Sequence, residues 1–298
     1  MRESELLEHI YARSAGLRAS GGWSVAVGPG DDAAVLRSPG GDTLLMTVDQ
    51  LVEGRHYEPG TAIDLIARKA VARSVSDIAA MGGTPTWAMA TAVLPDACPH
   101  ANELFDAMSR WAMHWGCPLV GGDIASHGAT DHPLTLTTTI AGSMPAGVEP
   151  VLRSGARAGD SIYVTGALGG SFASGRHLTF ETRVLEAAAL GDALGGRLHA
   201  MIDLSDGLGR DAGRVAKASA VRIELEADAV PRHPGVAGWR EALGEGEDYE
   251  LCFAAAGDVP GEVAGTAVTR VGRVIAGVGC VVLDQDDMID AGGLGWEH

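Results

Sequence analysis

The sequence predicts an α/β (α+β) protein of two mixed domains, and three observations support this class. The first half alternates apolar strand-like runs with amphipathic helix-like runs, and a loop-forming stretch follows at 143–150. The second half then resumes with strands and helices. We therefore predict domains at 1–146 and 147–298. The apolar content of 46% is sufficient to form a core in each.

Each predicted element follows from its hydrophobic period and its flanking turn residues. The helices are predicted at 5–15, 62–81, 101–116 and 184–198, with a further helix closing the strand–acidic turn–helix unit at 200–219. The other strands are predicted at 41–49, 86–95, 117–123, 134–144, 161–165, 221–227, 249–255 and 276–283.

The composition excludes several classes of function. A net charge of -17 makes nucleic acid or an anionic membrane surface a poor partner, because phosphates require Lys and Arg. The four cysteines are scattered, which is typical of a reducing compartment. The N-terminus reads as an amphipathic helix and not as a signal peptide, and no apolar run approaches the length of a membrane span. We expect a cytoplasmic protein.

Acidic residues recur in or beside apolar segments, where an ionised carboxylate is costly unless it is paired or binds a metal. Such acids either cap helices and turns or converge on hard cations such as Mg²⁺, which take oxygen ligands. The residues concerned are Asp31, Asp32, Asp49, Asp77, Asp123, Asp203 and Asp206.

Structural roles remain open for three of these acids. Asp206 is placed to act as a plain helix N-cap, and Asp123 follows two glycines as a turn residue would. Asp49 ends a predicted strand and has Arg55 and His56 nearby in sequence as ion-pair partners. Each is equally compatible with a metal site.

Asp77 and the adjacent pair Asp31-Asp32 raise separate questions. Asp77 lies inside a helix, where Asp has poor propensity, and shares one face with Lys69 and Arg73 at i, i+4, i+8 spacing. That face is either a solvated charged surface or part of a site. Neighbouring strand residues point to opposite faces, so Asp31 and Asp32 share one metal site only if Gly30 puts them in a turn. Otherwise one is a ligand and the other is structural.

Mg²⁺ held by many acids indicates polyphosphate chemistry, because the cation bridges and neutralises phosphate oxygens. The sequence nevertheless contains neither a Walker-type loop, nor the kinase motif set, nor G-x-G-x-x-G after a strand. The residues alone therefore predict a Mg²⁺-dependent phosphate enzyme without a standard nucleotide loop.

Eight motifs follow one another along the chain. They read "GPGDDAAVL", "TVDQLVEGRHY", "KAVARSVSDIAAMGG", "LVGGD", "RSGARAGDSIYVTG", "IDLSDGL", "GEDYELCF" and a terminal "GWEH". This ordered set resembles the thiamine-monophosphate kinases of the aminoimidazole ribonucleotide synthetase-like superfamily, over essentially the whole chain. "SDIAAMG" and "GEDYEL" are the most specific of the motifs.

The resemblance implies ATP-dependent phosphorylation of thiamine monophosphate to thiamine diphosphate with several Mg²⁺ ions. It also implies a homodimer whose N-terminal sheets join into a barrel, with ATP in a cleft nearby and a C-terminal α/β domain completing the sites. Because the chain offers no convincing phosphate-accepting nucleophile, we expect direct in-line transfer.

The resemblance also implies roles for individual residues. The implied metal ligands are Asp32, Thr47, Asp49, Asp77, Asp123, Asp203 and Asp206. Of these, the residues implied to be catalytic are Asp49, Asp77, Asp123 and Asp206. The implied nucleotide contacts are Gly122, Asp123, Arg153 and Ser205. The implied contacts to the vitamin are His56, Glu247 and Trp296.

The chain departs from the family pattern at three places. Val48 stands where the family commonly has a second Thr, so a ligand role through that side chain is lost. Ser74 replaces a usual Asn, and Ile124-Ala125 replaces Thr-Thr after "GGD". These changes affect details of metal and nucleotide contact.

Two other hypotheses belong to different classes. A superfamily synthetase or maturation factor for selenium or carbamoyl groups would require a reactive Cys near the N- or C-terminus, which this chain lacks. A non-catalytic nucleotide-binding relative would need fewer acidic sites than are present.

Overall fold

The computed structural model describes residues 3–14, 16–96 and 98–296. These residues form seven α-helices and fourteen strands. The helices are α1 Glu3–Arg13, α2 Ile63–Ala80, α3 Ala101–His114, α4 Ser171–Ser174, α5 Val184–Leu194, α6 Leu208–Ser219 and α7 Trp239–Gly244. The strands are β1 Ser24–Val27, β2 Ala34–Arg37, β3 Thr43–Val52, β4 Thr84–Leu94, β5 Leu119–Ser126, β6 Thr135–Ser143, β7 Ser161–Thr165, β8 Leu198–Asp203, β9 Arg222–Glu226, β10 Leu251–Ala255, β11 Glu262–Val263, β12 Thr266–Ile275, β13 Gly279–Asp284 and β14 Asp287–Asp290.

The strands of the first half form a six-stranded sheet in the order β1-β2-β3-β6-β4-β5. Its pairs are antiparallel except β4–β5, which is parallel. Residues alternate between faces, so Leu45, Thr47 and Leu51 of β3 point into the core while Val48 and Gln50 are exposed. Helices α2 and α3 cover the buried face. The other face is open in the single chain.

The second half contains an eight-stranded sheet in the order β14-β13-β9-β12-β7-β10-β8, with β11 paired to β12. Only β13–β9 is parallel among its pairs of described strands. Helix α6 packs its apolar stripe, including Leu208 and Val215, on this sheet beside Ile202 and Ile223. The architecture is therefore a mixed α/β fold with two sheets, as the sequence predicts.

Helix α2 lies between the two halves. Ile78 packs with the first sheet, whereas Ala79 and Ala80 pack with α5 and with Met201 of β8. Because it is enclosed on several sides, most of its residues are buried, including charged ones. This placement brings the polar side chains of α2 to the junction of the halves.

The predicted elements are largely confirmed, with differences at several ends, and two of these differences concern strands that carry predicted ligands. Strand β3 continues to Val52, so Asp49 lies within the strand and not at its end. Strand β5 continues to Ser126, so Asp123 is also inside a strand and not in a simple turn. Seven elements have no counterpart in the sequence predictions: β1, β2, β11, β12, β14, α4 and α7. The longest of them, β12, is a ten-residue strand whose alternation is interrupted by Arg270 and Arg273.

Two further sequence expectations concern the cysteines and membrane-spanning helices. All four cysteines are free thiols, and Cys117, Cys252 and Cys280 are buried as small core residues. Among the helices of the described residues, none combines the length and apolar character that crossing a bilayer requires.

Candidate active site

Three carboxylates converge at the junction of the two halves. One oxygen from each of Asp32, Asp77 and Asp203 lies within 4.8 Å of the others. Asp32 precedes β2, Asp77 stands near the end of α2, and Asp203 ends β8. Residues far apart in sequence therefore form one acidic cluster, and this name refers below to these three residues.

Hydrogen bonds from neighbouring side chains fix each member of the acidic cluster. Thr47 Oγ1 on β3 donates to Asp77 Oδ2, and Ser76 Oγ donates to Asp203 Oδ2 at 2.6 Å. Arg153 Nη2 donates to Asp32 Oδ1 at 2.6 Å. The carboxylates are thus oriented by donors before any ligand is present.

The electrostatics of the cluster favour a cation. Burial raises the pKa of Asp77 well above its ordinary value, and Asp49, Asp203 and Asp32 raise it further. Burial also raises the pKa of Asp203, with Asp32 as the next cause. A bound cation would offset both the loss of hydration and the mutual repulsion that raise these two pKa values.

The donor set fits Mg²⁺. Asp32 Oδ2 is buried and has no hydrogen-bond partner among the described residues, so it is available as a ligand. All donors are carboxylate oxygens, with the Thr47 hydroxyl beside them, and Mg²⁺ prefers such oxygen ligands.

Asp31 has a structural role, which answers the question raised by the adjacent pair. Its carboxylate accepts hydrogen bonds from the backbone N–H of Asp32 at 3.0 Å and of Arg153 at 3.2 Å. Burial, with the nearby Asp32, raises the pKa of Asp31 to about 6. One aspartate therefore faces the acidic cluster while the other secures the segment that contains Arg153.

Asp49 lies beside the acidic cluster and is held by α2. Ser74 Oγ donates to Asp49 Oδ2 at 2.9 Å, and Arg73 Nη2 lies 3.7 Å from Asp49 Oδ1. The ion-pair partner that the structure gives Asp49 is Arg73, where the sequence alternatives were Arg55 and His56. The departure to Ser74 thus leaves a hydroxyl that orients this acid.

Asp206 and Asp211 form a second acidic group at the start of α6. Arg214 bonds both Asp206 and Asp211, and Asp206 N donates to Asp211 Oδ2 at 3.0 Å. The N-cap of α6 is Gly207 and has no side-chain capping bond, so Asp206 is not a plain N-cap. Burial raises the pKa of Asp211 to about 7, although Arg214 opposes this.

The structure does not bring Asp123 to the acidic cluster. In the β4–β5 register, Asp123 lies opposite Thr91, which is exposed. On β6, Thr138 lies opposite Asp49 of β3 on one side and opposite the buried Ala90 of β4 on the other. Paired residues share a face, so Asp123 faces the opposite side of the sheet from Asp49. Its role as a ligand remains a prediction.

The predicted nucleotide contacts are distributed around this junction. Gly122 lies on the edge strand β5, close to the carbonyl of Ala90. Arg153 is directed at Asp32, and the Ser205 carbonyl accepts a hydrogen bond from Glu247 N at 2.8 Å. Their nucleotide roles also remain predictions.

A second polar group lies along α2 from the acidic cluster. Lys69 Nζ donates to the His56 carbonyl at 2.6 Å and to Glu247 Oε2. Arg55, beside His56, places its guanidinium 4.9 Å from the ring centre of Trp296. The three residues predicted to contact the vitamin are thus brought close by Lys69 and Arg55.

The "GEDYEL" loop has an unusual backbone. Gly246, Glu247 and Tyr249 have φ values of 68°, 59° and 53°, in the left-handed region that disfavours side chains. A Cβ on Gly246 would lie 2.7 Å from the Ser205 carbonyl, so only glycine fits this approach. Such backbone strain is typical of functional sites.

The solvated-face interpretation of α2 is wrong. Lys69 is 0% exposed, and Arg73 and Asp77 are partly buried. Ser76, Asp211 and Arg214 were not predicted from the sequence as members of a site, and Lys69 was predicted only as part of the charged face of α2. The i, i+8 spacing puts Lys69 and Asp77 on one face of α2, which was a sequence signal for a shared site. It did not identify their partners, because those lie in segments distant in sequence.

The departures at Val48 and Ile124 both leave the acidic cluster intact. The two side chains are exposed, and Val48 faces the open side of the first sheet. The hydroxyl that bonds Asp77 comes from Thr47, which is retained.

Comparison with known proteins identifies the family to which this fold and site belong. Residues 30–144 match the family model for "AIR synthase related protein, N-terminal domain". The chain is 37% identical to the thiamine-monophosphate kinase of Rhodopirellula baltica, over 86% of this chain and 85% of that protein. It is 38% identical to the same enzyme of Escherichia coli K12, over 77% and 76%. The chain belongs to the thiamine-monophosphate kinase family.

Solved structures agree with this assignment. The structure described as AaThiL complexed with AMPPCP and TMP matches with a TM-score of 0.78 at 26% identity, covering 100% of this chain and 97% of that one. The thiamine-monophosphate kinase from Stenotrophomonas maltophilia matches with a TM-score of 0.70 at 30% identity, over 94% and 96%. The relation therefore extends through both halves of the fold.

Proposed function

We propose that this protein transfers the γ-phosphate of ATP to thiamine monophosphate and so forms thiamine diphosphate. The observation that carries the proposal is the acidic cluster Asp32, Asp77 and Asp203, with a distinct polar group along the same helix. Relatives named thiamine-monophosphate kinase, and a similar structure complexed with AMPPCP and TMP, support this choice of substrates.

Mg²⁺ would be held by the acidic cluster with Thr47 and Asp49, and the ion supplies charge neutralisation for the phosphates. The residues of this chain orient that set, because Ser74, Ser76 and Arg153 hold its carboxylates. Asp206 and Asp123 are proposed as additional ligands that act once nucleotide is bound. Arg153, Gly122 and Ser205 are proposed to line the nucleotide side.

His56, Glu247 and Trp296 are proposed to bind the vitamin. Trp296 has a large ring with 47% of its surface exposed beside the Arg55 guanidinium, and we propose that the vitamin stacks on this ring. Glu247 supplies a carboxylate, from a loop tied to the Ser205 backbone, that can accept a hydrogen bond from the amino group on the pyrimidine ring.

Transfer is proposed to be direct and in line. The buried thiols of Cys117, Cys252 and Cys280 have pKa values raised by burial, which makes them poor nucleophiles. The accepting phosphate oxygen is largely ionised near neutral pH and needs no strong base. ATP that is chiral at the γ-thiophosphate should give inversion, whereas net retention would exclude a single displacement.

A homodimer and two domains complete the proposal. The open face of the first sheet exposes Val48 and Met89, which are 62% and 42% exposed, in one row with Thr139. An apolar sheet face of this kind marks an interaction surface, and a second copy closing a barrel would cover it. We propose domains at 1–146 and 147–298, the first providing dimerisation and metal binding and the second completing the nucleotide and substrate sites.

A direct assay tests the function. Purified protein with ATP, Mg²⁺ and thiamine monophosphate should produce ADP and thiamine diphosphate in equal amounts, both resolved by chromatography. Thiamine, which lacks the accepting phosphate, serves as the control acceptor and should remain unphosphorylated. Absence of thiamine diphosphate from a folded preparation with Mg²⁺ and both substrates present would refute the proposal.

A further inference from the structure

We infer that Lys69 is the positioning residue of the vitamin end of the site, where it fixes the Glu247 carboxylate against the His56 backbone. The inference rests on the proposed function, since it assigns Glu247 to substrate binding. It concerns a residue to which neither composition nor motif assigned a role.

The burial of Lys69 requires an explanation. Its side chain is 0% exposed, whereas Lys217, the other lysine of the sequence, is exposed on α6. Lysine is almost never fully buried unless its charge is paired. Burial lowers the pKa of Lys69 to about 8 and Glu247 opposes this, which reflects a cation kept in a poorly hydrated place by its partner.

The contacts of Lys69 are directed at two segments of the vitamin end. Nζ donates to the His56 carbonyl at 2.6 Å and to Glu247 Oε2, which is 178 residues away in sequence. A compact ammonium with several donors can hold a carbonyl and a carboxylate together. Removing it would leave the partly buried Glu247 carboxylate without its cation.

Glu247 is fixed from two directions. Its backbone is left-handed, with φ of 59°, and its N–H donates to the Ser205 carbonyl at 2.8 Å. Its side chain, 19% exposed, ends on Lys69. A left-handed conformation is disfavoured at a non-glycine residue, so the fold specifies this placement against an intrinsic preference.

Helix α2 relates this group to the acidic cluster. Asp77 and Lys69 are eight residues apart, which is about 12 Å along a helix axis. Thiamine monophosphate has a phosphate at one end and its pyrimidine ring at the other. One rigid helix therefore sets the separation between the phosphate end and the ring end, and Lys69 transmits that position to Glu247.

The test is a comparison of Lys69→Met with Lys217→Met as the matched control. Because Lys69 acts through Glu247, Lys69→Met should raise KM for thiamine monophosphate about tenfold or more and leave KM for ATP within about twofold. Lys217→Met should change neither. Equilibrium dialysis with thiamine monophosphate gives a second readout that does not need turnover. An unchanged KM and dialysis constant for thiamine monophosphate in Lys69→Met would overturn the inference. Equal increases in KM for thiamine monophosphate and for ATP would overturn it as well.

A double variant keeps the test decisive if Lys69→Met does not fold. Lys69→Met with Glu247→Gln removes both charges and leaves no unpaired ion, so this protein should fold. Its KM and its dialysis constant for thiamine monophosphate should lie within about twofold of those of Glu247→Gln alone, because Lys69 positions the Glu247 carboxylate and contacts His56 at the backbone carbonyl only. The inference would be overturned if the double variant bound thiamine monophosphate much more weakly than Glu247→Gln alone. It would also be overturned if Glu247→Gln bound thiamine monophosphate with wild-type affinity. Wild-type turnover tests the proposed function separately.

Discussion

Ser76 Oγ donates a 2.6 Å hydrogen bond to Asp203 Oδ2, and this bond joins α2 of the first half to β8 of the second. The adjacent residue on α2, Asp77, accepts from Thr47 on β3. Two consecutive residues of one helix therefore connect both sheets to the acidic cluster. This arrangement makes the cluster dependent on how the halves pack.

Asp77→Asn should reduce turnover by at least about 100-fold, because a carboxylate that would hold Mg²⁺ for the transferring phosphate is lost while side-chain volume is retained. The variant should be at least as stable as the wild type without Mg²⁺, since burial and the neighbouring acids disfavour the Asp77 carboxylate. Steady-state assays and thermal unfolding measure the two effects. Asp64→Asn, on the exposed start of α2, is the control. Turnover within a few-fold of wild type would contradict the metal-site assignment.

Mg²⁺ alone should raise the midpoint of thermal unfolding, because an ion that binds only the folded cluster stabilises it by mass action. Asp32→Asn should lose most of this shift, and chelation should abolish turnover. Asp123→Asn should keep the shift, since Asp123 is exposed on the opposite side of the sheet. A smaller shift in Asp123→Asn would show that Asp123 reaches the acidic cluster in solution.

Asp248 should make stability depend on pH. Burial raises its pKa from 3.8 to about 7, although the Gly169 N–H lowers it. Protonated Asp248 is therefore compatible with its buried position, and its contribution to the free energy of unfolding is full below the pKa of 3.8 in the unfolded chain. This contribution is lost as the pH rises through the folded-state pKa of about 7.

Asp248→Asn should accordingly exceed the wild type in unfolding free energy by about 1–3 kcal/mol near pH 8, and the difference should vanish toward pH 4. The amide retains an oxygen for the Gly169 N–H. Urea unfolding across this pH range measures the difference. A constant difference between the two proteins would contradict the assigned titration.

The open sheet face should be covered in solution. Sedimentation at micromolar protein should show a species of about twice the 30.6 kDa chain mass. Val48→Asp should yield monomers, because it places an unpaired charge in an apolar interface. Val278→Asp is the matched control, since Val278 is 81% exposed in the connection between β12 and β13. An active wild-type monomer would contradict the shared barrel.

Trp296→Ala should raise KM for thiamine monophosphate about tenfold and KM for ATP by less than about twofold, because only the vitamin stacks on the ring. A point change is preferable to removing residues 294–298, since Leu294 packs against the core. Trp23→Ala, also at an exposed tryptophan, is the control. Equal effects on the two substrates would indicate that Trp296 has no specific contact with the vitamin.

Local sequence determined the element types and the principal members of the site. Hydrophobic period marked α2, β4 and β7 with nearly correct bounds, because burial of one face imposes that period on neighbouring residues. The cost of ionised carboxylates in apolar segments identified Asp32, Asp77 and Asp203, and they do meet. The ordered motifs identified the family.

Tertiary structure alone decided which partner each charged residue meets. Lys69 has the sequence context of a surface residue, yet the loop containing Glu247 closes over it from the other half of the chain. Asp123 follows a motif that predicts a ligand, yet the β4–β5 register turns it away from Asp49. Burial and pairing are set by segments distant in sequence, so the environment of a charge, unlike the period of a helix, is not encoded in its neighbours.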